Sequence, residues 1–179
     1  MSTRNALLAL ALAVASFGAA AARAETPGLG QPIAEADVAA WDIAAMPSGA
    51  GLPPGSGTAA QGAKVFAEKC ASCHGDGGKG GPTARNPLFG GAPISSAIDT
   101  PKTIGNFWGH ATTVFDFTRR AMPFDQPRRL TADELYATTA YVLFLNKIIG
   151  ENDVMNAETL PKVKMPNADN FIIRFPDKI

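Results

Sequence analysis

Five consecutive residues carry the most specific chemistry in this chain: Cys70, Ala71, Ser72, Cys73 and His74. A Cys-x-x-Cys-His run is the attachment signature of c-type haem. At the end of a helix, two cysteines three positions apart lie on one side and can form thioethers with the two vinyl groups. The adjoining histidine then sits beneath the iron as its proximal ligand. Other chemistries fit the same residues less well. A thioredoxin-like dithiol needs a βαβ context, which the sequence lacks. A zinc site needs further ligands, and the chain offers one other histidine, His110, and no third cysteine. A disulfide between Cys70 and Cys73 remains open but gives His74 no role. The motif therefore predicts one covalently attached haem c, with Cys70, Cys73 and His74 binding it.

The elements that must position this motif are helical. From Ala59 to Lys69 the pattern is that of a helix running into Cys70, with Gly62 one turn before Phe66. A second helix is expected from about Ala111 to Arg120, stopping against Met122 and Pro123. The clearest runs from Thr131 to Asn146. Thr131 with Glu134 three residues on is a capping box, and Leu135, Thr138, Thr139, Val142 and Leu145 recur at helical spacing. Between the motif and the second helix, residues 75–106 are dense in Gly and Pro and read as loop. Ala34 to Ile43 suits a short helix, whereas Pro47 to Gly57 cannot be regular structure. Strand signals are nearly absent, so the fold class is all-α with long loops.

At 179 residues, 46% hydrophobic and 18% charged, the chain can bury a core, and wholesale disorder is excluded. Sixteen basic residues balance sixteen acidic ones, which argues against an electrostatic nucleic-acid binder. The first segment reads as an export signal. Arg4 precedes an apolar run from Ala6 to Phe17, and Ala22-Arg23-Ala24 places small residues where a signal peptidase cuts. Cleavage after Ala24 leaves a periplasmic chain with no membrane span. Retention as an anchor is the alternative, since small residues extend the run to Ala22. The expected organisation is a signal peptide over 1–24, an N-terminal extension over 25–58, a haem domain over 59–149 and a C-terminal extension over 150–179.

With these residues in place, the chain resembles the class I c-type cytochromes: a helix into CxxCH, a Gly/Pro loop, a Met-Pro loop and a C-terminal helix. The resemblance implies that the first and last helices cross in close contact, with Gly62, Phe66 and Tyr141 at the crossing. Outside the haem core it narrows. The stretches AAWDIAAMPSGAGLPPGSGTAAQGAKVFAEKCASCHG, KTIGNFWGHATTVFDFTRRAMPF, LTADELYATTAYVLFLN and LPKVKMPNADNF are similar to cytochrome subunits of periplasmic molybdenum sulfite dehydrogenases and to one haem domain of the Sox sulfur dehydrogenase cytochrome. They span most of residues 27–172. His110 departs from that pattern. A single CxxCH also contrasts with the two haems typical of the Sox subunit, which points to a standalone single-haem subunit.

The resemblance also implies a sixth iron ligand. Met46, Met122 and Met165 all precede proline, so Met-Pro alone does not choose between them. Met122 lies between the haem motif and the last helix, 48 residues after His74, where the family places its ligand. Pro123 suits this role, because it disfavours α conformation at Met122 and ends the helix there. Met165, His110 and Met122 as mere core filler are the alternatives. In the family, a proline carbonyl after CxxCH accepts the other ring N–H of the histidine. Pro82 and Pro87 both qualify, and the Pro87-Leu88-Phe89-Gly90-Gly91 run favours Pro87. Arg119 and Arg120 are candidates for a haem propionate or an acidic partner.

The function so implied is electron transfer, from a molybdenum-containing catalytic subunit oxidising sulfite or sulfur compounds to a downstream cytochrome or oxidase. Two rivals stand beside it. One is a generic soluble cytochrome shuttle without a dedicated partner. The other is a haem enzyme, peroxidase-like, with an open sixth position.

Overall fold

The computed structural model describes residues 29–94 and 100–171, so the segment expected to direct export lies outside the described residues. The chain divides into two compact units, residues 1–41 and 42–179. In the first, α1 spans Glu35–Trp41, a shorter helix than the expected Ala34 to Ile43, and buries none of its residues. The remaining elements belong to the second unit.

Helix α2, Ala59–Lys69, begins where Thr58 and Gln61 cap each other: the Thr58 hydroxyl accepts from the Gln61 N–H and the Gln61 side chain accepts from the Thr58 N–H. It runs into the four-residue helix α3, Ala71–His74. Helix α4, Ile104–Phe107, interrupts the long loop, and α5 spans Ala111–Ala121. Helix α6, Ala132–Leu145, carries the expected box of Thr131 and Glu134.

The centre of the fold is the crossing of α2 and α6. A Cβ at Gly62 would lie 1.9 Å from the Ala137 carbonyl oxygen and 2.8 Å from Tyr141 Cβ, so only glycine lets the backbones approach this closely. Next to it the Phe66 and Tyr141 rings meet at 5.3 Å between centroids. Both parts of the expected packing are present.

Two short strands close the unit. β1, Ser56–Gly57, pairs antiparallel with β2, Met155–Asn156, in the register Ser56 to Asn156 and Gly57 to Met155. Two-residue strands leave no periodicity to read, which is why the sequence showed no strand. Around them the C-terminal stretch contributes to the core. Met155, Leu160 and Met165 are at most 4% exposed and pack with Phe115, Tyr136 and Leu143. Residues 42–58 are tied down as well: the Ala45 N–H donates to Asp116 at 2.8 Å and the Tyr136 hydroxyl to the Pro53 carbonyl at 2.8 Å. Much of both expected extensions therefore packs with the helices they flank, because those helices alone leave apolar faces uncovered. Among the described residues no helix is long and apolar enough to cross a membrane.

Candidate haem site

Cys70 sits at the junction of two helices. It ends α2, its N–H donating to the Phe66 carbonyl, and it starts α3, its own carbonyl accepting from the Cys73 and His74 N–H groups. With φ −124° and ψ −34° it breaks the helix between Lys69 and Ala71. The three motif residues are thereby held within one tight turn. The Gly/Pro loop completes the cradle: Ala84 N–H donates to the Cys73 carbonyl and Gly80 N–H to that of His74.

Both cysteines are free thiols and half-buried. Burial pushes the Cys70 thiol up to about 11, against the pull of Lys69 and with some help from Cys73. The thiol is therefore neutral near pH 7. Burial also lowers His74 from its ordinary value, which favours the neutral imidazole that binds metals.

His74 is the candidate proximal ligand through Nε2, which leaves its other ring nitrogen to find a hydrogen-bond acceptor. Its Nδ1 is buried and has no hydrogen-bond partner. The expected bond to the Pro87 carbonyl is therefore not made in this structure. Yet His74 and Pro87 line one cavity of about 280 Å³, together with Asn86, Leu88, Ile104 and Trp108. Arg85, Lys102 and Thr103 line it too, so the hollow is mixed in character; the Cys70–His74 turn, with two free thiols three residues apart and an imidazole, is the donor set that haem c takes. No cluster of three or more His, Cys, Asp or Glu side chains that could hold a metal ion occurs among the described residues.

Met122 is half-buried and ends α5 with extended backbone, φ −124° and ψ 146°, as Pro123 after it dictates. It is not among the residues that line the His74 cavity. The alternatives lie elsewhere. Met165 is 1% exposed within the hydrophobic core, Met155 is buried there too, and Met46 is 53% exposed. His110 is exposed at the start of α5 and bridges to Lys164. The two arginines before Met122 are engaged inside the chain. Arg119 donates to the Ile43 carbonyl at 3.0 Å, and Arg120 pairs with Asp116 one turn away at 2.9 Å.

The sequence missed several cavity residues. Ile104 begins α4 inside the stretch 75–106 read as loop, and Trp108 caps its end just past that stretch. The signal was a capping box: Thr103 and Asn106 cap each other's backbone, and Asn106 Nδ2 reaches back to the Ala92 and Pro101 carbonyls. Thr-x-x-Asn is a weaker version of the usual Ser/Thr-x-x-Glu pattern, and four residues are too few for periodicity.

Comparison with known proteins supports the same assignment. Residues 57–142 match the family model described as cytochrome c oxidase, cbb3-type, subunit III. A chain in the crystal structure of the sulfane dehydrogenase SoxCD from Paracoccus pantotrophus is 38% identical, with a TM-score of 0.73. The match covers 86% of this chain and 73% of that one. No curated protein matches. The motif turn, the glycine-mediated helix crossing and these matches agree: the chain belongs to the c-type cytochromes and resembles a chain of the sulfane dehydrogenase SoxCD.

Proposed function

We propose that this chain is a periplasmic single-haem electron carrier, taking electrons from a molybdenum-containing dehydrogenase subunit that oxidises sulfite or sulfur compounds. A downstream cytochrome or oxidase would receive them. The observation that carries the haem assignment is the motif turn itself: two free thiols, Cys70 and Cys73, held in one turn with His74, whose ring lines a cavity. Haem c bound there supplies a one-electron iron couple. Cys70 and Cys73 would hold it as thioethers, His74 and Met122 would ligate the iron, and Pro87 would accept the second ring proton of His74. The apolar side chains of Leu88, Ile104 and Trp108 in the lining would favour the less charged, reduced state. The partner rests on the 38% identity to a chain of a sulfane dehydrogenase over most of this chain.

Expression in a host with haem-attachment machinery should give a mature chain heavier by one haem. The Cys70→Ala, Cys73→Ala double variant should give little holoprotein. A haem-free double variant as stable as the wild type would overturn the haem assignment. Mixing the oxidised chain with a molybdenum sulfite- or sulfane-oxidising subunit and its substrate should produce the reduced spectrum. Reduction no faster than with substrate alone would instead favour a general shuttle.

A further inference from the structure

We propose that Asn146 is a positioning residue for the haem: its amide clamps the strap Asn86–Leu88, which lines the cavity with His74, and so fixes the carbonyls among which the Nδ1 N–H would find its acceptor once haem is bound. The inference rests on the haem assignment above. Asn146 caps the C-terminus of α6, far in sequence from the motif. Its Nδ2 donates to the Leu88 carbonyl at 3.2 Å and to the Val142 carbonyl of its own helix at 2.8 Å. The first bond spans 58 positions and has no role in ending a helix.

Leu88 is held at both of its backbone groups. Its N–H donates to the Gly78 carbonyl at 2.9 Å, which anchors the strap to the turn following His74. Its carbonyl accepts from Asn146 and, at 3.3 Å, from the Ile104 N–H. Asn86 and Pro87, the two residues before it, line the His74 cavity. With Leu88 pinned on both sides, the preceding peptide groups cannot rotate freely. The fold also makes room for the clamp: a Cβ at Gly105 would lie 2.3 Å from Asn146 Oδ1 and 2.8 Å from its Cγ. Glycine at 105 is what lets the amide reach the strap.

A ligating histidine whose other N–H meets a well-held acceptor is more basic and stabilises oxidised iron. Loosening the strap should therefore raise the reduction potential. The test uses the holoprotein and two variants that displace the amide differently: Asn146→Ala removes it, and Gly105→Ala pushes it aside. Both should shift the potential upward and move the proton NMR resonance of the His74 ring N–H. Ala140→Gly, which weakens the same helix at a buried position away from the strap, should lower the melting temperature without either change. If Asn146→Ala does not fold, Gly105→Ala alone decides. An unchanged potential and resonance, with melting lowered as in Ala140→Gly, would reduce Asn146 to a helix cap while leaving the haem assignment intact. A wild-type chain that takes up no haem would defeat both readings.

Discussion

At the scale of single residues, the motif turn was legible because its chemistry is local. Two thiols and an imidazole within five positions need only one helix end to be aligned, and Cys70 supplies it. The opposite ligand depends on chain folding from a distance, and a side chain's role there cannot be read from spacing alone. Met165 shows this: it has the same Met-Pro signature as Met122, yet it fills the core at 1% exposure. Arg119 is a second case, since a charge that looked free for a partner is spent on the Ile43 carbonyl 76 positions away. Met122→Ala should leave a folded haem protein that has lost the far-red band of a thioether–iron(III) bond, has a lower potential and binds cyanide. An unchanged oxidised spectrum would exclude Met122 and turn attention to His110, which is exposed and needs no core rearrangement to move.

Among the elements, long helices with side-chain caps were read to within a residue, and short ones were not. Helix α6 was bounded by Thr131 and Glu134 at one end and by the polar Asn146 at the other. Helix α4 was lost among glycines and prolines. Glu134 also does something its box does not reveal: it pairs with Lys69, the last residue of α2, across the helix crossing. The Lys69 ammonium first, and the Thr131 N–H second, hold the Glu134 carboxyl below its ordinary value of 4.5. Because the folded value is the lower one, this stabilisation is complete above pH 4.5 and disappears as pH falls through the folded value. The pair is partly exposed, so its worth is about 0.5 kcal/mol. Glu134→Gln keeps the capping geometry and should cost about that much near neutral pH and nothing in strong acid. Thermal melts across the acid range check this, and parallel curves for the two proteins would show that the pair contributes nothing.

For the whole molecule, the expected boundary at residue 58 falls inside the second compact unit, which begins at Asp42. Composition marked residues 47–57 as loop, which holds except for the two-residue strand β1 at their end; what composition could not show is that the backbone from Ile43 to Pro53 is bound by side chains of α5 and α6. Asp116, Arg119 and Tyr136 each hold a backbone group between Ile43 and Pro53. A chain starting at Gly57 should lose those three bonds, about 1 kcal/mol each, and melt well below the full mature protein. A chain starting at Asp42 keeps them and should retain the melting temperature and the haem spectrum. It loses α1 and the exposed Leu29, Ile33 and Trp41, and with them we expect weaker association with the catalytic subunit. Unchanged association would place the interface on the second unit.

The ladder between β1 and β2 also sets an order of events. It joins Ser56 to Asn156, a hundred positions apart, so its closure cannot precede synthesis of nearly the whole chain. Contacts around the motif are short-range by comparison: Cys70 with His74, His74 with Gly80, Cys73 with Ala84. Local contacts form fast and distant ones slowly, since the long loop must first be closed. The motif turn can thus take shape while Met155 is still unmade or unpaired, with the thiols reachable from solvent. Haem attachment, as proposed above, would then have a window before the ends of the chain clasp, and the clasp would seal a core that already holds the cofactor.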